Sequence, residues 1–554
     1  MNLSKAIIPL IKGDVADDAE TLKKFSHDTS IFEIKPALVV SPKDADDVSA
    51  LVRFVAETKK GGENISLTAR CAGTDMSGGP LTNSIVVSFT KYMNRFLGIE
   101  KNEAIVEPGM YYRDFEKETL AKSGSILASY PASRELCALG GMIADNAGGE
   151  LTLRYGKTDK FVKELDVVLS DGSKATMRAL TKSELEKKKA EKSLEGEIYT
   201  KMDELLEKNR KAIRAARPNV SKNSAGYALW NVVDEKQNTF DLTKLIVGSQ
   251  GTLGLVTKAK LELIKPKSRR AMLVVFLSDL GKLPEIVKRV RKFDPESFES
   301  YDDHTFKLAA KYGYEFIKNM GLRQAISLAF AFIPEVWMAI TGGIPKLVLL
   351  AEFAEDTDEE AQKKAHQARE TLKDLSVSTQ IALGSMEKKY WKIRRESFAL
   401  LRKHVHGLHA APFIDDIVVH PDDYPKFLPE LATLLSQYDI MHTIAGHIGD
   451  ANFHIIPLID LGRPEHRKAV MELTPKVYTL VAKYKGSITG EHGDGIIRTP
   501  YLNLMYSTEI LKLFAETKNI FDPQNIFNPG KKVGGTIADI EKFMTRPIPV
   551  PKPV

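Results

Sequence analysis

The sequence predicts an α+β protein of two or three domains, and three observations carry that expectation. Its 554 residues exceed what one hydrophobic core usually serves. Strand-like apolar runs alternate with helix-periodic ones, but without the regular βαβ succession of a doubly wound sheet. Glycine-rich loops interrupt the first half, whereas the second half repeats a strand–helix–strand order that suggests a ferredoxin-like cap on one sheet.

Taken in order, PALVVSPKDADDVSALVRFVAE reads as a short strand, a proline turn and an amphipathic helix. A strand ending near Arg70, a glycine loop and the strand SIVVSF follow. AIVEPGMYYRDFEKETLAKSG is again strand, turn and helix, and ELDVVLSDG is a further strand. The charge-rich stretch Thr181–Arg217 has a helical pattern, and KLIVGSQGTLGLVTKAKLELI forms a second strand group closing near Pro266. The second half opens with AMLVVFLSDLGKLPEIVKRVRKF and repeats its strand–helix order in LVLLAEFAEDTDEEAQKKAHQARETL. The turn-rich FDPQNIFNPGKKVGG is expected to wrap back over the surface.

With 43% hydrophobic and 27% charged residues the composition is that of an ordinary globular protein. A net charge of +6, from 79 basic and 73 acidic residues, is too mild to point to nucleic acid. Two cysteines, Cys71 and Cys137, exclude a disulfide framework and a cysteine-ligated iron–sulfur cluster, and fit a reducing, cytoplasmic setting. No stretch reaches the roughly 20 apolar residues that span a bilayer. The most apolar region, Gln324–Leu350, is broken by prolines, glycines and charges; its segment Ala325–Ile340 suits a buried helix and strand, or peripheral contact at the inner face of a membrane.

Three loops carry chemistry in the first half. RCAGTDMSGG (Arg70–Gly79) follows a strand, where successive amides can cradle a pyrophosphate. It lacks the Lys-Ser/Thr of a nucleoside-triphosphate loop and the G-x-G-x-x-G of a nicotinamide site. LGGMIADNAGG (Leu139–Gly149) and GSQGTLG (Gly248–Gly254) are the others. One such loop is usually a turn; three together suggest a large ligand lying against backbone, since glycine permits close approach.

Near the C-terminus stand GHIGDANFH (Gly446–His454) and GEHGDG (Gly490–Gly495). His447 and His454 flank a Gly449-Asp450 turn, and if the second arm is a strand, Asn452 and His454 share a face. Catalytic metal sites commonly use about three N/O protein ligands, so Glu491 can complete the set and leave His492 as a general base. Any one of these histidines alone is more often a surface or core residue. The spacing by itself leaves both readings, and a metal-dependent hydrolase, open.

With these motifs on the page, the chain resembles the vanillyl-alcohol-oxidase/PCMH flavoprotein superfamily, specifically its FAD-linked D-2-hydroxyacid dehydrogenases, from about Ile31 to Gly530. The resemblance implies an N-terminal extension (1–30), a PCMH-type FAD-binding domain of two α+β subdomains (31–266), a ferredoxin-like substrate domain (267–530) and a tail (531–554). It implies FAD contacts at Arg70, Ala72, Gly73, Thr74, Asp75, Ser77, Gly78 and Gly79; at Pro131 and Ser133; and at Gly140, Gly141, Ala144, Asn146, Gly148 and Gly149. Gly251, Gly254, Val256 and Asn528 complete that set. In Trp391-Lys392-Ile393-Arg394, Arg394 falls on the arginine that holds the substrate carboxylate. His447, His454 and Glu491 fall on the ligands of a divalent metal, zinc or manganese; His492 falls on the base, and Asn452 contacts substrate or metal.

The implied activity is oxidation of a D-lactate-like 2-hydroxy acid to the keto acid by hydride transfer to flavin. Electrons would pass to a quinone, an electron-transfer flavoprotein or a separate iron–sulfur subunit, and oligomerisation is left open. Departures from the pattern are Cys71 for the common glycine and Gln250 for the common glutamate. With no histidine in the pyrophosphate loop, FAD is expected to be non-covalent. Some relatives carry a lysine near Phe413–Asp416, where this chain has Ile414, Asp415 and Asp416, which weakens any transfer of dicarboxylate specificity and leaves the substrate open. A sugar or alcohol oxidase, or an ether-lipid synthase, is the runner-up within the superfamily.

Overall fold

The structure, a computed structural model, describes residues 2–303, 345–404 and 407–545. It divides into two compact units: Met1–Gly149, Tyr155–Lys265 and Ser487–Thr545 form the first, and Glu150–Arg154 with Pro266–Gly486 the second. Residues 267–530 thus fall in both units, the first unit taking those from Ser487 onward together with 531–545.

In the first unit, β1 (Asp14–Ala16), β2 (Leu38–Ser41), β3 (Leu67–Arg70) and β4 (Ile85–Ser88) form a sheet in the order β1-β2-β4-β3. Strands β2 and β3 run parallel to β4 on either side. Both β2 and β4 are buried throughout, as continuous apolar runs in a covered parallel sheet should be. The crossover helix Ala45–Lys60 starts where the Asp44 carboxylate accepts from the Asp46 and Asp47 amides, and it buries Val48, Leu51, Val52 and Val55. A second sheet joins β5 (Phe96–Glu100), β6 (Glu103–Val106), β7 (Val162–Val168) and β8 (Lys174–Arg178). Three short strands, β9 (Leu180–Thr181), β10 (Val233–Asp234) and β11 (Thr239–Phe240), pair beside it in sequence, and β12 (Leu255–Glu262) completes the order β5-β6-β12-β7-β8.

Two local expectations are corrected. KLIV is the helix Thr243–Ile246 and not a strand, because the Asp241 carboxylate accepts from the Thr243 amide at 2.9 Å and its hydroxyl at 2.6 Å, closing a turn. The segment FDPQNIFNPGKKVGG does not lie over the surface. Ile526 and Phe527 are fully buried in the core that contains Leu38, Val40 and Leu67. The backbone follows them inward: the Leu67 amide donates to Ile526 O at 2.7 Å, and the Asn528 amide to Leu67 O at 2.8 Å. Turn-forming residues set the path, but the two apolar side chains decide which way it faces.

In the second unit, β13 (Arg269–Leu277), β14 (Ser297–Asp302), β15 (Leu347–Glu355) and β16 (Ser378–Ala382) stand in the order β16-β13-β15-β14, antiparallel throughout. With the helices Leu283–Arg291 and Asp358–Glu370 this is the expected ferredoxin-like arrangement. β17 (His409–Ala410), β18 (Ile417–Val418), β19 (Met441–His447) and β20 (Asn452–Ile459) extend the sheet beyond β14. Segment Ala325–Ile340 lies outside the described residues. Among those described, no helix is long and apolar enough to cross a membrane.

The buried C-terminal segment of the first unit is held by Lys518, whose ammonium donates to Asp522 Oδ2 at 2.5 Å and to the carbonyls of Thr252 and Phe527 at 2.7 Å each. Asp522→Ala should cost about 3–5 kcal/mol, because it leaves a buried ammonium without its counter-charge. Urea denaturation against the wild type measures this.

Candidate functional site

In the first unit the three glycine loops are drawn together by the side chains of Gln250 and Asn528. Gln250, itself at φ +52°, donates from Nε2 to Ser77 Oγ at 3.1 Å and to Asp145 Oδ1 at 3.2 Å. Its Oε1 accepts the Gly495 amide at 2.8 Å, and its own amide donates to Ala144 O at 2.8 Å. Asn528 completes the clamp: Nδ2 donates to Gly79 O at 3.0 Å and Gln250 O at 2.7 Å, while Oδ1 accepts from the Thr68 hydroxyl at 3.1 Å. A neutral amide at position 250 suits this place, since a carboxylate there could donate to neither Ser77 nor Asp145.

The expected FAD contacts then separate into supports and lining. Arg70, Ser77, Gly78, Gly79, Asn146, Gly148, Gly149, Gly254 and Asn528 are buried. Arg70 donates to Phe25 O at 3.3 Å and His27 O at 2.5 Å, and its guanidinium lies under Gly73, where an added Cβ would meet it at 2.2 Å. Asn146 takes φ +53° and accepts the Asp159 amide at 2.9 Å. Ala72, Gly73, Thr74, Asp75, Pro131, Ser133, Gly140, Gly141, Ala144, Gly251 and Val256 remain partly accessible. On the helix Leu139–Asp145 the small residues Gly140, Gly141 and Ala144 share the accessible side, whereas Leu139, Met142 and Ile143 are buried. A Cβ at Gly141 would meet nothing within 4 Å, so a ligand can approach the backbone closely there. This open, small-residue face fits FAD.

The electrostatics of the loops are unusual. Burial, and then the charge of Asp75, push Asp28 up to about 8 and raise Asp145 well above the ordinary carboxylate range. Asp75 itself is used by the loop: Ser77 Oγ donates to it at 2.9 Å and the Gly79 amide at 2.6 Å. Held neutral, Asp28 and Asp145 oppose an anionic ligand far less than charged carboxylates would.

Also in the first unit, Glu491 and His492 lie on the segment that re-enters it after Ser487. Lys157 holds this segment, donating to Gly490 O, Asn223 O and Ser224 Oγ at 2.7 Å each. The fully buried Lys222 ammonium is 2.9 Å from Glu491 Oε2. His492 is half-buried.

The second unit holds the other residues expected at the site. The β19–β20 hairpin pairs His447 with Asn452 across Ile448–Asp450, and a side chain at Gly446 would collide with Asn452 O at 2.2 Å. The His447 and His454 rings stand 5.2 Å apart and nearly perpendicular, at 87°. Each ring has its Nδ1 at a buried carboxylate: His447 at Glu299 Oε1, 2.6 Å, and His454 at Asp415 Oδ1, 3.1 Å. A carboxylate on Nδ1 fixes the tautomer and leaves Nε2 as the coordinating nitrogen, the usual outer support of a metal-bound imidazole. Glu299 also pairs with Arg394 Nη2 at 3.2 Å, so one carboxylate orients both an expected ligand and the expected carboxylate-binding guanidinium. The Asn452 amide donates to Asp416 Oδ1 at 3.0 Å and Ile417 O at 3.3 Å. Two supported imidazoles among carboxylates form a donor set that suits a divalent cation.

Glu299, Asp415, Asp416 and Lys222 were missed by the sequence reading as site residues. Signals existed: SFESYD is a strand buried at every position yet rich in polar residues, and PFIDDIVV sets two acids inside an apolar run.

Residues 36–177 match the FAD binding domain family, and residues 265–532 match the FAD linked oxidases, C-terminal domain. D-2-hydroxyglutarate dehydrogenase of Pseudomonas putida is 28% identical over 94% of this chain and 50% of its own length. The chain thus spans about half the length of the first curated relatives it matches. D-lactate dehydrogenase of Archaeoglobus fulgidus is 26% identical over 90% of this chain and 91% of its own. The solved structure of p-cresol methylhydroxylase with substrate bound matches with a TM-score of 0.65 at 14% identity, covering 97% of this chain and 96% of that one. This likeness shows the fold alone, and it is the PCMH-type fold.

Gly141→Val should leave melting temperature close to that of the wild-type apoprotein, because the added atoms enter open space, yet abolish flavin loading. Parallel thermal melts and flavin absorbance of the purified protein check both halves of that expectation.

Proposed function

Since residues 36–177 match the FAD binding domain family and residues 265–532 the FAD linked oxidases, C-terminal domain, we propose that the chain oxidises a D-2-hydroxy acid of the D-lactate kind to the corresponding 2-keto acid, with FAD bound non-covalently and a divalent metal assisting. The observation that carries this reading is the Glu299 bridge, which orients the His447 imidazole and the Arg394 guanidinium together. An α-hydroxy acid offers the two groups such a pair recognises: a hydroxyl–carboxylate chelate for a cation, and a carboxylate for a guanidinium.

FAD would be held by the accessible loop residues of the first unit, and zinc or manganese by His447, His454 and Glu491. When bound, the flavin supplies a two-electron acceptor for the Cα hydrogen and the cation an electrophile that acidifies the hydroxyl. Arg394 binds the substrate carboxylate and limits its rotation. An imidazole nitrogen of His492 accepts the hydroxyl proton, the usual task of a histidine general base. Asn452 acts as a positioning residue through its bonds to Asp416 and Ile417. Lys222 pairs with Glu491 and fixes it inside the protein. The electrons would pass on to a quinone, an electron-transfer flavoprotein or an iron–sulfur subunit.

An anaerobic titration of the flavin-loaded protein with D-lactate, glycolate and D-2-hydroxyglutarate, with and without a chelator, tests the reading. Bleaching of the flavin by D-lactate, prevented by the chelator, is expected; a flavin that none of the three acids reduces would exclude it. His492→Ala should retain FAD and lose about 10²–10⁴ in flavin-reduction rate, measured by stopped-flow absorbance.

A further inference from the structure

In the proposed scheme Asp416 serves only to anchor Asn452, yet its surroundings are those of a ligand. It is fully buried, at the residue just before β18, and takes the left-handed backbone at φ +65°. Strand register puts it where it is. β18 pairs with β20 as Ile417 with Phe453 and Val418 with Asn452, so the next step along this antiparallel ladder sets Asp416 beside His454. Its carboxylate and an imidazole nitrogen of His454 lie within 4.8 Å of each other, close enough for one ion to be bound by both.

The residues on either side hold this arrangement. The Asp416 amide donates to Asp415 Oδ1 at 2.7 Å, and the same Asp415 oxygen is 3.1 Å from His454 Nδ1. Asp415 therefore orients the imidazole and fixes the turn that presents the next carboxylate. Asn452 Nδ2 donates to Asp416 Oδ1 at 3.0 Å, which fixes the plane of the carboxylate. A buried, oriented carboxylate next to an imidazole whose Nδ1 is already occupied is a carboxylate–imidazole donor pair.

We infer that Asp416 is itself a ligand of the divalent cation, adding a carboxylate oxygen to the imidazoles of the second unit. The inference rests on the metal-assisted reading given above. Oxygen donors favour harder ions, so this ligand moves the site's preference toward manganese and away from zinc.

The test uses the full-length, flavin-loaded protein stripped of metal with a chelator and titrated calorimetrically with Mn²⁺ and, separately, Zn²⁺. Asp416→Asn keeps the shape and the Asn452 hydrogen bond but removes the charge. It should weaken Mn²⁺ binding by more than the roughly 10–100-fold that loss of an orienting partner causes, and weaken Zn²⁺ binding less. Asp415→Asn, which disturbs orientation only, should weaken both ions alike. Flavin content and melting temperature establish that each variant is folded. Asp416→Glu, which retains the charge on a longer arm, serves if the asparagine variant is not; its Co²⁺ derivative should bind the ion with an altered visible spectrum. Unchanged Mn²⁺ affinity in Asp416→Asn, equal losses for both ions, or a Co²⁺ spectrum of Asp416→Glu identical to that of the wild type would overturn the assignment. If the wild type binds ions and Asp416→Asn does so equally well, this inference alone fails; if the wild type binds neither ion, the metal-assisted reading fails with it.

Discussion

The side chain of Asn528 is the constraint on which the first unit's loops depend. Gly79 closes one loop and Gln250 lies within another far along the sequence, and the carbonyl of each faces the interior. A buried carbonyl without a donor costs about 1–3 kcal/mol, and one amide supplies both. Its oxygen is in turn fixed by Thr68 on β3, the strand from which the first loop departs. The glycines make close approach of a ligand feasible, but the buried amide brings the glycines to one place.

The second unit applies the same principle with charge. Glu299, Asp415 and Asp416 are almost completely buried, and carboxylates are retained in such places when they pair or coordinate. Glu299 serves the imidazole of His447 and the guanidinium of Arg394 at once, so a change at this position would disturb a cation's ligand and an anion's receptor together. The supporting shell is built from β14 and the run before β18, elements that contribute no residue to the glycine–histidine motifs.

How much of this could be read from the sequence depended on whether a feature is local. The hairpin between His447 and Asn452, the ferredoxin-like order of the cap and the positions of the glycine loops follow from turn residues and periodicity within short windows. The pairs Glu299–His447, Asp415–His454 and Lys222–Glu491 were not legible, because each joins segments brought together only by sheet register or chain return. Asp415 and Asp416 stood out in the sequence only as the absence of a lysine found in relatives, and the β18–β20 register gives them their meaning. The tail was misread for a related reason: its turn residues were visible, but the cavity that Phe527 fills belongs to strands more than four hundred residues earlier.

The path of the chain has a consequence for biogenesis. Ser487–Thr545 completes the unit that Met1–Gly149 begins, and the whole second unit's main segment, Pro266–Gly486, is inserted between them. A ribosome therefore releases the inserted unit in full before the first can close its sheet around Phe527. Contacts of such long sequence separation form slowly, since the loop must be closed before they stabilise anything. Until then β3 lacks its C-terminal neighbour and the apolar face of that sheet stays incomplete. The nascent first unit is the part of this protein expected to need a chaperone, and the inserted unit the part able to fold as it emerges.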